Sequence, residues 1–136
     1  MIGIDTHVLV RYIAQDDAVQ SARATSFIEN ECNASAPGFV GVGVLVEVVW
    51  VSESCYGATR GDVAEIVRRI LSIRQLVAED AETVWKALRL FESGKADFSD
   101  GLIVLAAKTA GCGQVVTFDK QAAKAGMVLL KYAGRV

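Results

Sequence analysis

Two kinds of apolar pattern alternate along this chain: short apolar runs that end on an acid, and longer stretches in which apolar residues return every three or four positions. Residues 1–4 are too short to show alternation and read as a buried strand broken at Asp5. Val8, Leu9, Tyr12 and Ile13 then keep helical spacing over residues 6–13, with Thr6 or Asp5 as N-cap. A second helix is predicted over residues 17–30, with Val19, Ala22, Phe27 and Ile28 inward. Residues 39–50 are ambiguous: their valines favour a strand, while their length and the Leu45, Val48, Val49 spacing allow a buried helix. Val63, Ile66, Val67, Ile70 and Leu71 trace one helical stripe with Glu65, Arg68 and Arg69 outward. A short strand at residues 76–78 follows. Asp80 can cap a helix carrying Val84, Leu88 and Phe91 that stops at Gly94. Ser99 can cap another, with Leu102, Ile103, Ala106, Ala107 and Ala110 inward and Gly111 as terminator. Residues 114–118 form a strand broken at Asp119, a short helix runs to Gly126, and residues 127–130 form a last strand.

Strands alternating with helices predict an α/β protein, a mainly parallel sheet with helices on both faces. In such sheets ligands bind beyond the carboxyl ends of the strands, which gives the acids at those ends a meaning. Composition narrows the class. The chain has 136 residues, 52% apolar and 22% charged, so it can bury a core as a single domain over 1–136. Cys32, Cys55 and Cys112 are widely spaced, neither a zinc signature nor a disulfide framework, and suit buried thiols in a reducing cytoplasm. The N-terminus lacks the pattern of a signal peptide. The longest apolar run, residues 39–51, falls short of the roughly twenty residues of a membrane span. The reading is a cytoplasmic protein with no membrane association.

Chemistry enters through the carboxylates. If the strands ending at Asp5 and Asp119 are parallel neighbours, both side chains emerge on one edge, although either residue alone could merely begin a turn or cap a helix. Glu47 lies in Leu-Val-Glu-Val-Val-Trp-Val, where burial would make an ionised carboxylate expensive without a partner, and no Lys or Arg stands between Arg23 and Arg60. Asp97 and Asp100 lie three apart where a helix begins, and Asp100 can point back toward the sheet edge. Carboxylates crowded together call for a cation, and oxygen-only ligands suit Mg²⁺ or Mn²⁺. Such an ion serves phosphodiester hydrolysis. His7 is the only histidine, so no serine or cysteine triad competes. A formal charge of −2 becomes +2 once four ligating carboxylates are set aside, so net charge does not decide for or against a nucleic-acid partner.

At these residues the sequence resembles the PIN-domain ribonucleases, and among them the VapC-like toxins of type II toxin–antitoxin pairs. The resemblance rests on IDTHVLVRYI from Ile4, LVEVVWV from Leu45, ADFSDGLIVLAAKTAG from Ala96 and VVTFDK from Val115. It implies a PIN-like three-layer α/β/α fold with a central, mainly parallel sheet of four to five strands, and a helix across much of residues 39–50. It implies a Mg²⁺-dependent (or Mn²⁺-dependent) endoribonuclease that inhibits translation or growth. Asp5, Glu47, Asp100 and Asp119 stand at the catalytic and metal-binding positions, Asp97 at an accessory acid, and Thr6 and Thr117 at supporting hydroxyls. An RNA substrate, a cognate antitoxin and a homodimer follow from the same resemblance. Arg11, Lys95 and Lys120, with Lys108 and Lys124, lie near the acidic segments and are candidates for holding phosphates. Two positions depart from the family: His7 replaces a common asparagine, and Gly101 replaces a usual alanine. The competing readings are a catalytically silent PIN-like module that binds RNA or protein, and a Mg²⁺-binding phosphoacceptor domain. The second would need paired acids after the first strand, where Asp5 stands alone.

Overall fold

The computed structural model describes residues 1–131 and divides into two compact units, Met1–Ala81 and Glu82–Val136. In the first unit β1 (Ile2–Gly3), β2 (Gly38–Val40) and β3 (Leu76–Ala78) form a parallel ladder in the order β1-β2-β3. Parallel neighbours need long crossovers, and helix pairs supply them. α1 (Thr6–Ala14) and α2 (Ala18–Ser26), with a π-helical turn at Phe27–Glu31, connect β1 to β2. α3 (Val42–Tyr56) and α4 (Arg60–Ser72) connect β2 to β3. Gly38 sits in the central strand where a Cβ would stand 2.4 Å from Ile4 Cδ1 and 2.8 Å from Leu76 Cδ2. Glycine at this position lets both apolar neighbours close over the strand.

The ambiguity over residues 39–50 resolves into both answers, a three-residue strand and then a helix that begins at Val42. Leu45, Val48, Val49 and Ser52 form the buried face of α3. Its opposite face carries Gly43, Glu47 and Trp50, all exposed. The burial expected for Glu47 is thereby corrected: on a helix its surface neighbours lie three and four residues away, so the flanking valines do not enclose it. The inward positions expected for the second helix are corrected as well. Val19 is 80% exposed and Ala22 is exposed, whereas Ser21 and Ala24 are buried; Ile28 is buried as expected. Asp17 caps α2 at the start the sequence predicts, its side chain accepting from Gln20 N at 2.8 Å. The α4 stripe matches expectation, with Val63, Val67 and Ile70 buried. β1 itself is exposed, and Ile4 just after it is the buried residue.

In the second unit α5 runs Ala81–Glu92 and α6 Phe98–Thr109, and β4 (Val116–Thr117) pairs in parallel with β5 (Val128–Leu129) across α7 (Lys120–Ala123). Val84, Leu88 and Phe91 are buried as expected, and Phe91 meets the edge of Phe98 with ring centroids 6.3 Å apart. α6 differs from expectation in two respects. Its N-cap is Asp97, not Ser99, and its buried residues are Phe98, Gly101 and Leu102, while Ile103, Ala106 and Ala110 are exposed. The helix starts two residues earlier than expected, and its buried face runs through Phe98, Gly101 and Leu102 rather than through the alanines. Gly111, at φ +95°, ends it as anticipated. Of the cysteines only Cys32 is buried; Cys55 and Cys112 are exposed. Among the described residues no helix is long and apolar enough to cross a membrane.

Candidate active site

In the first unit the carboxyl ends of the parallel strands lead into Asp5, Gly41 and Glu79. Asp5 occupies the N-cap position of α1, yet its carboxylate makes no cap hydrogen bond to the helix. Its partner is the His7 ring, whose Nδ1 lies 3.1 Å from Asp5 Oδ2. That contact, and then the nearby backbone amides of Thr6 and His7, hold the Asp5 carboxyl below its ordinary pKa. His7 is therefore a hydrogen-bonding neighbour of the acid. Thr6, 4% exposed, donates from Oγ1 to Glu47 Oε1 at 3.0 Å and so joins the start of α1 to the middle of α3.

Glu79 was not marked by its sequence context and proves to have a positioning role. Gly41, the N-cap of α3, has no side chain to satisfy the first amides of the helix. Glu79 Oε1, arriving from the end of β3, accepts from Val42 N at 2.8 Å instead. It thereby anchors the helix that carries Glu47. The signal available in sequence was indirect, an acid closing one strand and a bare glycine opening the helix after another.

In the second unit Asp97 and Asp100 stand at the start of α6 and Asp119 at the start of α7. Asp97 is an N-cap whose side chain makes no cap hydrogen bond. Asp119 does cap its helix, Oδ1 accepting from Gln121 N at 2.9 Å, while its own N–H donates to Thr117 Oγ1 at 3.0 Å. The structural role weighed for Asp119 is real, and the capping bond leaves Oδ2 for other work. Burial, and then the negative charges of Asp97 and Asp119, push the Asp100 carboxyl above its ordinary pKa. Asp97 and Asp119 thus both lie within electrostatic range of Asp100. Among the described residues no three His, Cys, Asp or Glu side chains are drawn together as a finished metal cage.

The phosphate-holding candidates differ in state. Arg11 is committed within the first unit: Nε donates to Gln20 Oε1 at 2.8 Å, and Nη1 to Asp16 Oδ1 at 3.1 Å and to the Tyr56 hydroxyl at 3.4 Å. Lys95, Lys108, Lys120 and Lys124 are exposed.

Comparison with known proteins bears on both units at once. The model of a family described as the PIN domain matches residues 2–127. A VapC ribonuclease of Aquifex aeolicus (strain VF5) is 27% identical over 124 residues, covering 90% of each chain. No solved structure gives a significant match.

Proposed function

The chain belongs to the PIN-domain family, and with that and its VapC likeness established we propose that it is a divalent-metal-dependent endoribonuclease, the toxin of a toxin–antitoxin pair. The carrying observation is that the family match over residues 2–127 takes in Asp5, Glu47, Asp97, Asp100 and Asp119. The same unbroken span supports treating residues 1–136 as one PIN domain with the three-layer α/β/α arrangement of its family.

The donor set fits Mg²⁺ or Mn²⁺: all oxygen, with the Asp97–Asp100–Asp119 group crowded in like charge and the Asp5 carboxylate free of a helix cap. Asp5, Glu47, Asp100 and Asp119 are the ligands in this reading, and Asp97 assists. A bound divalent ion supplies an activated water and positive charge for the departing oxygen of a phosphodiester. The chain's own residues do the positioning. Thr6 orients the Glu47 carboxylate, Glu79 fixes the helix bearing it, His7 holds one oxygen of Asp5, and Thr117 braces the turn into Asp119. Lys95 and Lys120, each close in sequence to one of these acids, are the phosphate contacts in the second unit. RNA as substrate, a cognate antitoxin, a homodimer, a cytoplasmic setting and inhibition of translation complete the proposal.

A second reading, a PIN module that binds without cutting, draws on the lack of a finished metal cage among the described residues. One experiment separates the two. Purified protein is incubated with structured and single-stranded RNA in Mg²⁺, in Mn²⁺ and in EDTA, alongside Asp5→Asn and Asp100→Asn, with circular dichroism confirming the fold. Cleavage that needs the metal and vanishes in both variants is expected. Metal-independent cleavage, or undiminished cleavage by the variants, defeats the proposal, and RNA binding without cleavage establishes the silent module.

A further inference from the structure

Beside Asp5 the first unit holds a recess of about 480 Å³ between α1, α2 and the end of β1, within the roughly 300–1,000 Å³ of small-ligand sites. Its depth is apolar: Ile4 and Ala24 are buried, and Val8 and the Phe27 ring are half-exposed to it. Toward solvent it is lined by Arg11, Arg23 and His7. His7 is the residue whose ring also contacts Asp5, so the recess and that carboxylate share a wall.

The chemistry of the lining selects among occupants. No carboxylate lines the recess, although residues 1–81 contain eleven acids against six arginines. Both guanidinium groups are already paired, Arg11 with Asp16 and Gln20, and Arg23 with Glu31. Each guanidinium therefore has a neighbouring carboxylate that offsets part of its charge and biases its orientation. Oriented guanidinium planes, an aromatic ring and an apolar floor suit a flat heteroaromatic group carrying polar edges better than a bare phosphate. Another cavity of this unit, between α1, α3 and α4, is lined by Asp62 and Glu65 against the single Arg69, a less favourable charge balance for an anionic chain.

We propose that this recess is a nucleobase subsite, which takes up the base of a nucleotide flanking the scissile phosphate and so sets sequence preference. The proposal rests on the ribonuclease reading, and its test is built to fail separately from it. Metal-free protein in EDTA, with isotope-labelled methyl and aromatic groups, is titrated with AMP, GMP, CMP and UMP and with inorganic phosphate. Saturable shifts at Val8, Ala24 and Phe27 that depend on the base and are absent with phosphate are expected. They should be lost in Ala24→Met, which fills the recess, and in Phe27→Ala, which removes the ring at a half-exposed position where folding is less at risk.

With a cleaved oligonucleotide, replacing nucleotides one at a time by abasic ones should reveal one position costing the wild type about tenfold in kcat/KM, in keeping with the loss of one stacked base. Phe27→Ala should show no such position. Shifts that are absent, that inorganic phosphate reproduces, or that survive in both variants overturn the subsite. An abasic profile unchanged in Phe27→Ala also overturns it, and leaves the recess to a protein segment. If the wild type cuts no RNA, the ribonuclease reading falls while the mononucleotide titration still decides whether the recess binds a base.

Discussion

Replacing Thr6 by valine isolates the one hydroxyl that joins the Asp5 turn to Glu47. Valine keeps the volume and branching of threonine, so the buried position gains no cavity, and the change reduces to a hydrogen bond. The bond spans 3.0 Å to a carboxylate oxygen. Hydrogen bonds to charged groups contribute about 1.5–3 kcal/mol where both partners are shielded, but exposed Glu47 can turn to water, so about 1 kcal/mol or less is expected. Activity should suffer more than stability. Removing a group that orients a metal-binding side chain typically costs about 10–100-fold in metal affinity or activity. Urea unfolding gives the stability change as a shift in midpoint at constant slope, and a Mg²⁺ titration of RNA cleavage gives the apparent metal affinity. Thr6→Ser, which restores the donor, should recover most of the activity. Cleavage by Thr6→Val within threefold of wild type would refute the positioning role, as would a serine variant no better than the valine one.

Two further expectations concern stability. Gly101→Ala should stabilise the protein by up to about 1 kcal/mol, since alanine is the better helix former and restricts the unfolded chain. The added Cβ would meet Leu90 Cδ2 at 3.5 Å and Ala87 at 3.8 Å, ordinary contact distances, and a lower melting temperature would show that α5 and α6 pack more tightly than this. Asp62 should govern part of the acid limb of the stability curve. Its carboxylate accepts from Thr59 N at 3.0 Å in a reciprocal capping box, and the Thr59 backbone bond, then the Thr59 side chain, lower its pKa below the ordinary 3.8. A carboxyl depressed on folding contributes stability that is complete above its unfolded value and is lost as pH falls through its folded one. Asp62→Asn should therefore flatten the decline below about pH 4; an unchanged acid limb would remove Asp62 from that role.

The elements whose apolar stripes have an unambiguous period were legible in sequence, and α4 and α5 lie where the pattern puts them. Phase was harder to read than period. α2 and α6 are helices as expected, but their buried faces are not the predicted ones, and Val19 and Ile103 point outward. Successive residues on a helix point about 100° apart, and hydrophobicity averaged along the chain does not register which of them faces the core. The same geometry explains Glu47. Its burial among valines is a statement about linear neighbours, whereas on the helix its neighbours are the exposed Gly43 and Trp50 and the part-exposed Val44 and Val51. Exposed Glu47 therefore carries no burial penalty for a cation to offset, whereas part-buried Asp100 lies in the field of two like charges, Asp97 and Asp119. Thr6 gains a concrete partner, and Glu79 emerges only once β3 and α3 are seen to meet at Val42.

The charge distribution gives the two units different tasks. Residues 1–81 hold eleven acids, six arginines and no lysine, a formal −5, whereas residues 82–136 hold eight basic and five acidic residues, a formal +3. The overall −2 averages two opposite surfaces, which is why net charge alone could not speak for or against RNA. If Asp97, Asp100 and Asp119 are neutralised by a cation, the second unit becomes markedly basic, with flexible lysines suited to sequence-independent phosphate contact. Three of the six arginines of the first unit are paired with acids of the same unit, Arg11 with Asp16, Arg23 with Glu31 and Arg68 with Glu65. On the proposed reading, the lysines of the second unit would hold an RNA backbone and the recess of the first unit would read a base. Salt should then weaken RNA binding through the lysines of the second unit, while leaving the base preference set by the recess beside Asp5 largely unchanged.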